Sequence, residues 1–169
     1  INAGEPLKIK VNAAALLDEK PRDEIRNKPL DQKPYWHVER SRVGNSRKVP
    51  VELIVNGQAV ARTEVSADGS VQEVKFDYKL SKSSWVAVRI FPSAHTNPIF
   101  VEVDGKPIRA SKRSAEWCLK AVDVCWDAKK GRIREEEQKE AAAAFQKARE
   151  AYRLILEESF DDRAAGTEK

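Results

Sequence analysis

The dipeptide Asn56–Gly57 lies between two runs of alternating apolar residues, 49–55 and 58–65. Both residues of a two-residue hairpin turn must adopt positive φ angles, which asparagine and glycine accept at low cost. The pair therefore predicts that the two runs are antiparallel strands joined by a tight turn. Asp–Gly pairs at 68–69 and 104–105 predict two further turns.

Short runs of this kind recur through the first 110 residues, and their alternation predicts about seven short strands. The predicted strands are 7–15, 49–55, 58–65, 74–80, 85–91 and 99–103, with 35–38 as either a short strand or an anchored segment. No predicted helices separate them, which argues against Rossmann and TIM-barrel scaffolds. The pattern predicts a mainly β fold, with an immunoglobulin-like or fibronectin-like antiparallel β-sandwich over residues 1–110.

Residues 18–48 interrupt this pattern with prolines, charged residues and no periodicity. Connections inside compact domains are usually about 4–6 residues long, so a segment of this length is typically functional or flexible. The sequence predicts a long irregular insertion and leaves two interpretations open. Residues 18–48 are either a binding loop or a segment that wraps around the sandwich.

After Ser111 the apolar period changes from two to 3.6, which predicts an antiparallel helical hairpin over 111–160. Ser114 is the predicted N-cap of the first helix, and Gly131 marks its end. The second helix is predicted from Ile133 to Glu158, followed by a frayed tail at 161–169. The hairpin is also a candidate interface for homo-oligomers.

The residues that could carry catalysis are few and scattered. The chain has two histidines, His37 and His95, and none of the common hydrolase, nucleotide-binding or metal-binding motifs. Cys118 and Cys125 are seven positions apart, so in a helix their Cα atoms lie about 10 Å apart, too far for a disulfide. We expect both to be buried small side chains, and we expect no catalytic residue, bound metal or cofactor in this chain.

The charge pattern limits the partners. The chain has 31 basic and 27 acidic residues, and they are interleaved rather than gathered on one segment. Nucleic-acid-binding domains usually concentrate their bases on one face, so this pattern argues against such a partner. No run approaches the roughly 20 apolar residues that a membrane span needs. The start at Ile1 and the absence of methionine predict a fragment of a longer protein.

Two segments are candidate binding sites. The first is Tyr35–Trp36–His37 together with Arg40, where aromatic and cationic side chains lie on the irregular insertion. We favour the alternative that Trp36 folds back and covers the sandwich. The second contains Arg89, His95 and Asn97, either as an interface or as hydrogen-bonding residues of a local turn. The other tryptophans lie on patterned apolar faces and are predicted in the core: Trp85, Trp117 and Trp126.

Four stretches resemble the C-terminal region of CehA/McbA-like metallohydrolases, relatives of the polymerase-and-histidinol-phosphatase hydrolases. They are 84–91 (SWVAVRIF), 94–101 (AHTNPIFV), 104–108 (DGKPI) and 111–118 (SKRSAEWC). The likeness covers about residues 50–158, and no motif within it is catalytic. In that family the metal ligands belong to an upstream catalytic domain, and none can be matched here.

The resemblance implies a non-catalytic accessory module of a larger metal-dependent bacterial hydrolase. Its partner would be the upstream catalytic domain of the same chain, and its compartment the periplasm or the extracellular space. The alternative function is a carbohydrate-binding or other ligand-binding module that uses the Tyr35–Trp36–His37 loop.

Overall fold

A computed structural model describes residues 1–161. Apart from Asp161, the predicted tail at 161–169 lies outside the described residues. The chain divides into two compact units, Ile1–Ile108 and a second unit that begins at Arg109. The first unit, here called the β unit, contains antiparallel sheets. The second, the helical unit, contains a pair of long helices.

The β unit has two antiparallel sheets. The smaller sheet consists of β1 (Pro6–Ala13) paired with β4 (Gln72–Lys79). The larger has the order β3–β2–β5–β6, and β7 also pairs with β5. Its strands are β2 (Lys48–Val55), β3 (Gln58–Ser66), β5 (Ser84–Ile90), β6 (Ala94–His95) and β7 (Ile99–Val101). Because β6 and β7 follow one another along the same side of β5, they form one interrupted edge.

The predicted hairpin at Asn56–Gly57 is confirmed. Val55 pairs with Gln58, and the φ angles of Asn56 and Gly57 are 49° and 91°. Farther along, the register shifts between Leu53 and Ile54, which leaves one extra residue in β3. Such a bulge increases the local twist of a strand pair.

Both sheets contribute to one hydrophobic core, because each strand sends alternate side chains inward. Val49, Val51 and Leu53 of β2 are fully buried there, beside Val88 of β5 and Phe76 of β4. The outer face of the small sheet is charged by contrast. Lys10 and Glu73, for example, form an exposed ion pair across β1 and β4.

The insertion is organised around a buried ion pair rather than a hydrophobic pattern. Glu39 lies in a short 3-10 helix, Val38–Ser41, and its side chain is 1% exposed. Arg42 donates to the two Glu39 carboxylate oxygens at 2.6 and 2.9 Å. It also donates to the carbonyl oxygens of Asp18 (2.6 Å) and Ser46 (3.0 Å), which ties both ends of the segment together.

Acidic pH should weaken the buried ion pair between Glu39 and Arg42. Burial by itself would raise the pKa of Glu39, but the hydrogen bonds from Arg42 and from the Arg22 amide outweigh it and lower the pKa. A carboxylate with a lowered folded-state pKa stabilises fully above its unfolded pKa, about 4.3, and this stability is lost as the pH falls through the folded value.

We therefore expect the urea midpoint of the chain to fall on acidification from about pH 5. Other carboxylates with lowered pKa values, such as those of Glu73 and Asp68, contribute to the same fall. The informative quantity is the difference in urea midpoint between the wild-type chain and the Glu39→Gln variant. That difference should shrink as the pH drops below about 4. A difference that does not change with pH would contradict the role assigned to the ionised Glu39.

Three features of the predicted fold need correction. About as many residues lie in α-helices as in strands, so the fold is mixed rather than mainly β. The proposed strand at 35–38 is wrong, because Val38 begins the 3-10 helix and a four-residue helix, α1 (Asp23–Arg26), precedes it. The stretch between Pro92 and Pro98, which lies outside the predicted strands, contains β6.

The helical unit consists of α2 (Lys112–Lys129), a 3-10 turn (Lys130–Arg132) and α3 (Glu135–Glu158). The helices contact through Trp126 and Phe145, whose ring centroids are 5.0 Å apart. Arg149 of α3 also donates to Asp123 of α2 at 2.6 Å. The N-cap of α2 is Ser111, whose hydroxyl oxygen accepts from the Ser114 amide at 3.1 Å. The prediction of Ser114 as the cap was wrong by one turn.

The apolar stripe of the helical unit, which includes Cys118, Cys125 and Phe145, is only half-buried. Ala115 is the one buried residue among those described in the two helices, and Trp117 is 70% exposed. Cys118 and Cys125 are free and only half-buried. The prediction that Trp117 and both cysteines are buried was therefore wrong. Two helices cover only part of each other's apolar face, which leaves a groove along the pair.

Candidate functional site

The outer face of the larger sheet carries the main candidate site. Alternation along β5 sends Val86, Val88 and Ile90 into the core, so the intervening side chains point outward. Trp85 and Arg89 are among these outward residues, so the prediction that Trp85 lies in the core was wrong. They lie on the floor of a groove of about 920 Å³. We call this feature the aromatic groove.

Four aromatic residues line the aromatic groove, and they come from separate parts of the β unit. Trp85 and Phe100 are cross-strand neighbours on β5 and β7, and Phe91 follows directly after β5. Trp36 comes from the insertion. The exposed fractions are 72% for Trp36, 70% for Phe100 and 46% for Phe91. Large rings this exposed on one surface are uncommon unless the surface binds something.

The insertion is tied to the sheet beside the groove by its own hydrogen bonds. The Arg40 guanidinium donates to the carbonyl oxygens of Lys28, Pro29, Gln32 and Pro34 at 2.6–3.1 Å. The next residue, Ser41, donates from its hydroxyl to the Phe91 carbonyl oxygen at 2.7 Å. These bonds hold the backbone on both sides of Trp36. Its position therefore depends on an ordered segment.

The polar groups of the groove are partly committed to neighbours. Arg89 donates to Glu52 on the adjacent strand at 2.7 Å, and its guanidinium carbon lies 5.0 Å from the Phe91 ring centroid. His95 Nδ1 lies 3.0 Å from the Thr96 carbonyl oxygen. Since a carbonyl only accepts, Nδ1 carries the proton in this geometry, which leaves Nε2 as an acceptor when the ring is neutral.

The structure brings together part of the predicted set. Trp36, Arg89 and His95 all line the aromatic groove, although they come from both predicted segments. The remaining predicted residues are not among its lining residues: Tyr35, His37, Arg40 and Asn97. Trp36 lines the groove on the outer face of the sheet, and most of its surface remains exposed.

The placement of Arg40, Tyr35 and His37 gives each a local contact. Arg40 is occupied by backbone carbonyls, and Tyr35 packs edge-on against Trp36 at 5.6 Å between ring centroids. His37 caps the 3-10 helix, because its Nδ1 accepts from the Glu39 amide at 3.1 Å.

Sequence reasoning missed Phe91 and Phe100 as site residues. A signal existed for both. Phe91 continues the outward alternation of Trp85 and Arg89. Phe100 is an aromatic residue on an edge strand, and exposed aromatics there are a recognition feature. The pairing of Phe100 with Trp85, in contrast, depends on the register between β5 and β7. No local pattern fixes that register.

Across residues 1–161 there is no group of three or more histidine, cysteine, aspartate or glutamate side chains arranged to hold a metal ion. None of the described helices is both long and apolar enough to cross a membrane. The candidate site is thus an aromatic surface with an ion pair at its floor, and its chemistry suits binding.

Comparison of the chain with protein-family models, with curated proteins and with solved structures gave no match.

Proposed function

We propose that this chain is a non-catalytic accessory module that packs a partner domain against the aromatic groove. The observation that carries the proposal is the exposure of Trp36, Phe91 and Phe100 around one groove on the outer face of a sheet. Binding surfaces characteristically place aromatic residues and arginine at their centre. Arg89 beside Phe91 supplies that combination.

The strand order supports a closer assignment of the fold, which we propose to be immunoglobulin-like. In that family strands B and E pair in one sheet, and strands C′, C, F and G follow one another in the other. Here β1 pairs with β4, and the larger sheet has the order β3–β2–β5–β6. If β1 is strand B, then β2 to β5 take positions C, C′, E and F, and β6 and β7 together take position G beside β5. Residues 14–47 then become a long B–C connection.

The nature of the partner rests on the resemblance to CehA/McbA-like metallohydrolases over about residues 50–158. We infer that the partner is an upstream catalytic domain of the same longer chain, in an exported metal-dependent hydrolase. The stretches that carry the resemblance include 84–91 and 94–101, which contribute Trp85, Arg89, His95 and Phe100 to the groove.

The helical unit supports the same function independently. Its groove of about 380 Å³ is lined by residues of the apolar stripe, among them Trp117, Cys118 and Phe145. A helical pair with a half-buried stripe fits an element that packs against a further surface, either the partner domain or a second copy of the chain.

Replacing Phe100 with alanine tests the proposal. In this chain alone the substitution should change the free energy of unfolding by less than about 0.5 kcal/mol, because the side chain is mostly exposed. In the longer protein it should cost about 1.5–3 kcal/mol, the value of a fully buried phenylalanine. Urea unfolding of both proteins, followed by tryptophan fluorescence, measures the two values.

Val71→Ala is the matched control, because Val71 is also 70% exposed but lies outside the groove. It should be neutral in both proteins. Equal effects of Phe100→Ala in the chain alone and in the longer protein would contradict docking at the groove.

The alternative function, carbohydrate binding, is favoured by one observation. Trp36 presents an exposed ring beside the polar groups of Arg89 and His95, and such rings stack on sugars. In that case Phe100→Ala would leave the longer protein as stable as the wild type, and a soluble polysaccharide would protect Trp36 from a fluorescence quencher.

A further inference from the structure

Among residues 1–161, no strand pairs with the edge of β7 that faces away from β5, here called the free edge of β7, and its backbone groups have defined directions. The Trp85 amide N–H donates to the Asn56 side chain at 3.1 Å, and the Trp85 carbonyl accepts from the Asn56 amide at 3.0 Å. Both Trp85 groups therefore point toward β2. Because Trp85 pairs with Phe100, this is a non-hydrogen-bonded pair, and the Phe100 N–H and C=O point away from β5.

The same orientation recurs two and four residues later, as alternation requires. The Glu102 carbonyl oxygen accepts from the Ile1 amino group at 3.0 Å, and the Asp104 N–H donates to the Ile1 carbonyl oxygen at 3.0 Å. In between, the Val103 N–H donates in the opposite direction, to the Ser83 hydroxyl at 2.8 Å. The outward groups of residues 100, 102 and 104 thus form one row.

The hydrogen bonds of Ile1 determine the direction of the chain at that row. Its N–H group and its C=O group bond to residues 102 and 104, on either side of Val103. This slanted pattern is that of parallel strands, whereas antiparallel partners exchange both bonds with a single residue. Ile1 therefore lies beside Val103 as one residue of a strand parallel to β7.

We propose that the free edge of β7 binds an extended segment that runs parallel to it and continues into Ile1, namely the residues directly before Ile1 in the longer protein. The inference rests on the proposed function, since a module within a longer chain has such residues. The second residue before Ile1 would donate to the Phe100 carbonyl and accept from the Glu102 N–H. The added strand would lie about 4.8 Å from β7.

The side chains of β7 fit this occupant. Ile99 and Phe100 are 63% and 70% exposed, which is unusual for an edge strand without a cover. Val101 and Val103, on the inner face, are buried. The second residue before Ile1 would lie beside Val101, so we expect it to be apolar. The third would lie beside Phe100, at the margin of the aromatic groove.

The test compares this chain with the same chain extended by the six residues that its own gene encodes before Ile1. Amide hydrogen exchange of Glu102, measured by NMR, should slow at least tenfold in the extended protein. Amides of β1 and β4 should change by less than twofold. An unchanged Glu102 exchange rate, or protection of every amide by the same factor, would overturn the proposal.

A pair of variants separates edge pairing from a loss of folding. Glu102→Pro removes the N–H that the added strand needs, and Glu102→Ala removes the same side chain but keeps the N–H. In the extended protein the proline variant should lose the protection of the added residues, and the alanine variant should keep it. Equal protection in both variants would sink the edge proposal and leave docking at the aromatic groove untouched, because this extension contains no partner domain.

Discussion

Replacing Arg42 with alanine is expected to lower the free energy of unfolding of the β unit by about 3–5 kcal/mol. The substitution leaves the Glu39 carboxylate buried without its partner, and a buried unpaired charge is strongly destabilising. It also removes the donors to the carbonyl oxygens of Asp18 and Ser46. Urea unfolding followed by far-UV circular dichroism measures the loss.

The exposed pair Arg62–Glu64 supplies the control. Its atoms are 3.7 Å apart, and both side chains are largely solvated. Exposed ion pairs contribute about 0–1 kcal/mol, so Arg62→Ala should have a small effect. A second check is the double variant Glu39→Gln with Arg42→Met, which leaves no buried charge and should be more stable than Arg42→Ala. If Arg42→Ala costs no more than Arg62→Ala, the ion pair does not organise the insertion.

Replacing Leu53 with alanine is expected to cost about 2–5 kcal/mol, the range for a leucine deleted from a packed core. Leu53 has no exposed surface and lies on β2, the strand between β3 and β5. The cavity would open in the core to which both sheets contribute. The midpoint of urea unfolding should fall with little change in its slope, because the surface exposed on unfolding stays similar.

Leu30→Ala is the comparison for this substitution, since Leu30 is 60% exposed. We expect it to change the free energy of unfolding by less than about 0.5 kcal/mol. A small effect at Leu53 would mean that the core does not hold the two sheets together as described.

The architecture of antiparallel sheets followed by a helical pair could be predicted from the sequence. Asn56–Gly57 gives the first hairpin directly, because its turn requires positive φ angles. The alternation of 85–91 also places Val86 and Val88 on one face and Trp85 and Arg89 on the other, although Trp85 was expected in the core. Both signals are local, and they act over a few neighbouring residues.

The candidate site could be predicted only in part. Trp36, Arg89 and His95 were identified as candidates, but as members of two unrelated segments. Their convergence depends on the fold of the insertion. There Arg42 bonds to a carbonyl 24 positions away, and such a contact leaves no periodic trace in the sequence.

The sequence by itself determined the hairpins, the inward face of each strand and the change to helices after Ser111, because turn chemistry and periodicity act between near neighbours. The tertiary structure alone decided that Trp36 and Phe100 line one groove, that the helical stripe stays half-buried and that Ile1 lies parallel to β7. Each of these depends on residues far apart in the chain. Register, burial and the pairing of charges determine such contacts only once the whole unit has folded.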